Sequence, residues 1–356
     1  MCRCVVVLMC CGYYTYLMAT NQPYNTLVHQ HDFKILCKFT KITSMTIHRT
    51  NFIARNPRSQ VFMDFMFLLL CGFIGALIGA LITQGVMQLA NINDVQETVK
   101  SLPPDAPASE RNMLRAILMI GHLFLFWFAS LAFAYLIYKK QFIQYLQLHR
   151  SPSIPQLSYS GVIVFLSLPV VFLIYWLNQQ IPLPEILMGY ENDAEALTKQ
   201  LLIMNSHTEL LFNLAVIALV PAVGEELMFR GVIQQLMTRL SNNEHLGVWL
   251  AGFLFSAIHL QFQGFLPRMF LGGVLGYFLL WTKSLWVPIF AHFVFNGMQL
   301  IAQYFAKVNI EEQEPDVEKL LPFGLFSIII VGGLCWSLYK NSNHEFTDKA
   351  KSEIEN

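Results

Sequence analysis

The sequence predicts an all-α protein, a polytopic transmembrane helical bundle of about eight spans. Two features of composition carry that expectation. Of the 356 residues, 55% are hydrophobic and only 13% charged, with a mean hydropathy of +0.47, whereas soluble domains carry roughly a quarter charged residues. The apolar residues also gather in repeated blocks of about 20, the length that crosses a hydrocarbon core of about 30 Å. Backbone polar groups in lipid must be satisfied within the chain, so such blocks fold as helices.

The spans are expected at 62–90, 114–138, 159–178, 208–239, 246–260, 268–282, 284–305 and 321–339, separated by polar or Pro-containing loops. Several are short enough to be tilted, re-entrant or broken. Arg55 and Arg58 precede the first span, Lys139, Lys140 and Arg150 follow the second, and Arg239 ends the fourth. The positive-inside rule makes these ends cytoplasmic, and eight spans then place both termini there. The opposite loops hold Asp94 and Glu97, then Glu185, Glu191, Asp193 and Glu195, and later Glu311, Glu312, Glu314 and Asp316.

The organisation that follows is an extension over 1–57, a membrane domain over 58–340 and a polar tail over 341–356. The extension pairs Arg3 with an apolar run from Val5 to Met18, too short to span. It reads either as a signal-like segment or as sequence upstream of a true start at Met45. Five of the seven cysteines lie in it without metal-site spacing, while Cys71 and Cys335 sit in apolar blocks as small hydrophobes. A formal net charge of +0 gives no reason to expect a nucleic-acid partner. The lipid bilayer is the expected surrounding, that of a multi-pass protein of a bacterial cytoplasmic membrane.

Ionisable groups inside spans cost at least about 2.5–3.5 kcal/mol each on insertion and mark function by default. The fourth span holds Glu225, Glu226 and Arg230, the fifth His259, and the seventh His292 and Asn296. Glu226 and Arg230 are four residues apart and share a helix face, as do His292 and Asn296. Glu225 lies about 100° around the helix from Glu226, which leaves it free for chemistry while Glu226 pairs with Arg230.

Counting from the cytoplasmic ends at 1.5 Å per residue puts Glu225, His259 and Asn296 about 18–21 Å deep and His292 shallower, at about 12 Å. A carboxylate in a poorly solvated site is a stronger base than one at the surface, and with an imidazole beside it can activate water. His and Asn side chains are suitable donors to the oxyanion of a tetrahedral intermediate.

Pro221 and Gly224 predict a kink or local unwinding before the acids. Gly272, Gly273 and Gly276 predict close helix packing, and His122 reads as a packing residue. The same polar groups also suit a proton-coupled transporter, or a non-catalytic membrane scaffold that regulates a partner.

The residues Glu225, Glu226 and Arg230, Phe255 and His259, and His292 and Asn296 fit three motifs in order: Glu-Glu-x-x-x-Arg, Phe-x-x-x-His and His-x-x-x-Asn. In this the chain resembles the CPBP family, the CAAX proteases and bacteriocin-processing enzymes also called Abi proteins, across a motif core at about 205–300. The resemblance implies a CAAX-prenyl-protease-like eight-helix bundle and an intramembrane endopeptidase. Its substrate would be a peptide or protein, membrane-anchored or prenylated.

It further implies that Glu225 and His259 activate the attacking water, His292 and Asn296 hold the oxyanion, and Arg230 braces the acids. Family members are often called metalloproteases. No His-Glu-x-x-His helix is present, so a metal-free mechanism is expected, with Glu225, His259 and His292 as the donor set if zinc is used.

Overall fold

The structure is a computed structural model that describes residues 58–103, 105–306 and 317–355. The expected extension over 1–57 and the acidic run over 311–316 lie outside the described residues. Every regular element among the described residues is helical. In chain order they are α1 (Arg58–Leu89), α2 (Val95–Ser101), α3 (Ala108–Tyr145), α4 (Ile154–Leu166), α5 (Leu168–Gln179), α6 (Glu185–Leu201), α7 (His207–Ser241), α8 (Glu244–Ala257), α9 (Phe265–Thr282), α10 (Trp286–Ala306) and α11 (Val317–Glu355).

A helix stands at each of the eight expected spans, with α4 and α5 sharing one and meeting at a 43° bend. Five helices are long and apolar enough to cross a membrane alone, or six if the bent pair is one span. The other two fall short for different reasons. The 14 residues of α8 reach only about 21 Å, and α10 carries His292, Asn296, Gln299 and Gln303 among its apolar residues. The residues after 340, expected as a tail, continue α11 as helix.

The protein is an integral membrane protein whose outer surface is apolar. Phe62, Leu69, Phe73 and Leu81 of α1 and Phe323, Phe326, Ile329 and Trp336 of α11 are all exposed, as lipid-facing side chains should be. The interior holds two main apolar cores. One joins α1, α3, α7 and α8 around Phe133, Phe229, Leu236 and Phe255. The other joins α4, α9, α10 and α11 around Ile163, Leu275, Phe278 and Leu338.

Two connections expected to be loops are helices. Asp94 caps α2, its carboxylate accepting from the Gln96 and Glu97 amides at 2.8 and 3.1 Å. Val95 and Val99 of α2 then pack with Met87, Leu114 and Ile117, and Leu197 and Leu201 of α6 close over the same cluster. Lys100 pairs with Asp193 at 2.6 Å, so the first two acidic connections read from the sequence meet at one end of the bundle.

The basic connections meet at the other. Arg239 pairs with Asp64 at 3.0 Å, Gln235 donates to the Tyr145 carbonyl at 2.8 Å, and Trp286 donates to the Leu148 carbonyl at 2.9 Å. Lys139, Lys140, Arg150 and Arg239 therefore share one end of the bundle.

The small-residue stripe of α9 is a packing surface. A Cβ at Gly272 would lie 2.9 Å from the Gly252 Cα, and one at Gly276 only 2.9 Å from Val248 Cγ1. This approach brings the Gly272 carbonyl to Arg230 at 2.9 Å and the Gly276 carbonyl to Gln234 at 3.1 Å. The expected break at Pro221 takes another form. A π-turn over Leu214–Leu219 precedes the proline and a second over Phe229–Ile233 follows the acids, so α7 stays continuous. Widened turns absorb the amide hydrogen bond that proline removes, and they recur at functional sites.

Candidate active site

The acids lie on the segment of α7 between its two π-turns, Val220–Met228, where Glu225 and Glu226 are both buried. Glu226 Oε1 accepts from Arg230 Nη1 at 2.7 Å, as the four-residue spacing predicts. The same oxygen faces His292 Nδ1 at 2.8 Å. A carboxylate oxygen bound to an arginine can only accept, so Nδ1 carries the hydrogen and His292 donates. Its other nitrogen, Nε2, stands 3.7 Å from Glu225 Oε2. That is too long for a direct hydrogen bond and leaves the two groups facing each other.

The set holds two carboxylates and one permanent cation. Buried charges are stable when balanced, so the set leaves one negative charge with no fixed counter-charge. Glu226 Oε2 has no protein hydrogen-bond partner.

His292 reaches the acids although depth counting made it shallower. The turn before α10 is buried, with Ser284 and Leu285 at 1% and 0% exposure. Ser284 Oγ donates to the Arg150 carbonyl at 2.6 Å and the Leu285 amide to the Gln147 carbonyl at 3.1 Å. The 146–150 segment roofs that turn, so a count from Ser284 begins below the surface and understates the depth of His292.

His259 stands just past the end of α8, and its Nδ1 meets the Phe255 carbonyl at 2.7 Å. That carbonyl accepts, so Nδ1–H donates and Nε2 presents its lone pair. His259 and His292 both pack edge-on against the Phe255 ring, at centroid distances of 5.1 and 5.9 Å. The Arg230 guanidinium lies over the same ring, 4.8 Å from its centre. Phe255 is thus the apolar spacer that orders the arginine and both imidazoles. Asn296, one turn beyond His292, is half-buried.

The structure joins Glu225, Glu226, Arg230 and His292 directly and places His259 beside them through Phe255. Asn296 joins them only through its place on α10. The zinc donor set Glu225, His259 and His292 does not fit a metal in this conformation. Among the described residues no three His, Cys, Asp or Glu side chains stand close enough together to hold an ion.

Two supports escaped the sequence reading. Asn178 of α5 is buried and spends both ends of its amide on the segment after His259. Its Nδ2 donates to the Phe262 carbonyl at 2.7 Å and its Oδ1 accepts from the Leu266 amide at 2.8 Å. A lone Asn near a span end carries no signal by itself. The second support is Glu209, near the start of α7. It accepts from Arg111 Nε and Nη2 at 2.8 Å each, from Arg115 Nη1 at 3.2 Å and from the Asn205 amide at 2.9 Å. The signal was present, since Arg115 and Glu209 are charged residues inside the expected spans.

Residues 207–298, which carry every motif position, match the family model described as type II CAAX prenyl endopeptidase Rce1-like. The match covers that stretch of the chain alone. Two curated proteins of Bacillus subtilis (strain 168) resemble the chain. One, named "Uncharacterized protein YpbD", is 29% identical over 106 residues, 29% of this chain and 51% of that protein. The other, named "Putative membrane peptidase YdiL", is 28% identical over 109 residues, 31% of this chain and 44% of that protein. The aligned stretch thus spans about half the length of each curated relative. No solved structure matches the chain. The matched stretch runs from the start of α7 into α10, so the acids and both histidines all lie within it.

Proposed function

We propose that this protein is a membrane-embedded endopeptidase that hydrolyses peptide bonds with a water activated inside the bundle. The observation that carries the reading is the histidine between two carboxylates: His292 donates to Glu226 and turns Nε2 toward Glu225. The Rce1-like match and the resemblance to a relative named as a membrane peptidase support the reaction class.

The hydrogen-bond polarities support the following roles. Glu225 and His259 Nε2 are both acceptors, and a water between them donates one hydrogen to each and aims a lone pair at the substrate carbonyl. Glu225 takes the proton as the water oxygen bonds to the carbonyl carbon. The oxyanion so formed receives hydrogen bonds from protonated His292 Nε2 and the Asn296 amide. As the C–N bond breaks, Glu225 returns the proton to the leaving amine.

Glu226, with Arg230 against it, holds the imidazole of His292 and stabilises its positive charge, as a carboxylate behind a catalytic histidine does. No metal enters these steps. The substrate class is a membrane-anchored peptide, with prenylated peptides as the form the domain's description names. The end of the bundle rich in Lys and Arg is assigned to the cytoplasm.

The test uses the purified full chain in detergent with a fluorescence-quenched peptide ending in a prenylated cysteine and three further residues, beside its unprenylated twin. Wild type is expected to cleave the prenylated probe, to keep doing so in EDTA, and to lose cleavage in Glu225→Gln and His259→Ala. Cleavage that survives both substitutions would sink the reading, and loss in EDTA that zinc restores would replace the metal-free mechanism.

A further inference from the structure

The mechanism leaves one half-buried imidazole unused, that of His122. His122 ends the first α-helical stretch of α3, immediately before a π-turn over Leu123–Phe128. Its ring stacks on Phe126 at 4.4 Å. The widened turn also brings Trp127 against α7, where its Nε1 donates to the Val220 carbonyl at 3.0 Å. Both side chains press on Gly224, the residue before Glu225. A Cβ there would fall 2.5 Å from Trp127 Cδ1 and 3.2 Å from His122 Nε2. Glycine is the residue that lets α3 approach α7 this closely, and the approach delivers His122 to the backbone beside the acids.

The polarity of the ring follows from its surroundings. The Pro221 carbonyl is the hydrogen-bond acceptor beside the imidazole, whereas Nε2 is buried with no protein partner. Nδ1 therefore carries the hydrogen, and Nε2 offers a lone pair. His259 and His292 are both within electrostatic reach of this ring, so it borders the same cluster from the α3 side. A buried acceptor without a donor is unfavourable, and a donor arriving with the substrate removes that deficit. Every peptide carries one such donor per residue in its backbone N–H.

We propose that His122 is a substrate-binding residue of this site, its Nε2 accepting a backbone N–H of the bound peptide and so holding the chain across Gly224 with a carbonyl over Glu225. This deepens the endopeptidase reading and rests on it. The interaction reads no side chain, so it suits an enzyme that tolerates different residues beside the cut. It also predicts that the peptide lies extended there, since a helical segment would already have spent its amides.

The experiment compares wild type, His122→Gln, which keeps an acceptor, and His122→Phe, which keeps a flat ring without one. Two probes are used: the prenylated peptide above, and a set in which each amide within two residues of the cut, the scissile one excepted, is replaced in turn by an ester. His122→Phe should lose about 10-fold in kcat/KM, mostly through KM, and His122→Gln should retain most of it. One ester position should cost wild type about as much as His122→Phe and cost that variant nothing further.

Equal KM values in wild type and His122→Phe would overturn the proposal. So would a loss in His122→Phe that persists in full on every ester probe, the mark of a purely structural role. Cleavage by wild type with either result leaves the endopeptidase reading intact, whereas a wild type that cuts no probe removes both.

Discussion

Helix α7 carries two buried acidic clusters about 25 Å apart by helix rise, and their difference separates a brace from a reactive site. At Glu209 one carboxylate meets two arginines, and both of its oxygens are occupied, by Arg111, Arg115 and the Asn205 amide. Arg115 also donates to the Asn112 side chain and to the Leu201 and Ile203 carbonyls. Positive charge is in excess and no acceptor on the carboxylate is left over.

At Glu225 and Glu226 the balance is reversed. Two carboxylates share one arginine, Glu226 Oε2 has no protein hydrogen-bond partner, and Glu225 faces a histidine at 3.7 Å without bonding it. A saturated cluster has nothing to offer a ligand, while one with spare acceptors can receive a water and its protons. Buried ion pairs alone are weak evidence of function; their donor and acceptor balance says more.

The largest effects expected from this contrast fall on different observables. Glu225→Gln should reduce the cleavage rate by about 10³-fold, the scale of a lost general base, with the thermal midpoint in detergent nearly unmoved. Glu209→Gln should do the opposite, destabilising the fold by about 3–5 kcal/mol because two arginines lose their buried counter-charge, while the molecules that remain folded keep the wild-type kcat. A Glu209→Gln protein of unchanged thermal midpoint would end its assignment as a brace.

A smaller effect is expected at Asn178, which ties down the segment after His259. Asn178→Ala should lower kcat by about 10-fold, two hydrogen bonds of about 1 kcal/mol each being partly replaced by water. KM should change little. Asn178→Asp restores the acceptor for the Leu266 amide and should recover part of the rate. Gly272→Ala acts on stability instead: the new methyl meets the Gly252 backbone at 2.9 Å and should cost about 1–3 kcal/mol by overpacking. Circular dichroism melts of Glu209→Gln and Gly272→Ala in one detergent would compare the two stability losses on a common scale.

Much of this was legible beforehand, for identifiable reasons. Hydropathy marks a helix wherever about 20 apolar residues must cross lipid, which is why helices stand near the eight expected spans. The four-residue spacing of Glu226 and Arg230 fixed their pairing, because helix geometry brings such residues together whatever surrounds them. The segments 94–101 and 185–201 were misread as loops. Their helices are short or amphipathic and stabilised by each other, through Val99, Leu197 and the Lys100–Asp193 pair, and hydropathy is blind to mutual support. The depth of His292 was misjudged because no sequence rule shows that the turn at Ser284 and Leu285 is roofed by residues 146–150.

The sequence by itself determined that the chain lives in a membrane, that it is helical, and which six polar residues sit inside its spans. Those properties follow from side-chain hydropathy and from local periodicity, each readable one segment at a time. Which nitrogen of His292 meets which acid, the shared Phe255 ring, the saturation of Glu209 and the bare acceptor on His122 were decided only by the tertiary structure. Hydrogen bonds are directional and short, so their pattern depends on how helices distant in sequence cross, at the points where residues as small as Gly224, Gly252 and Gly272 let the backbones meet.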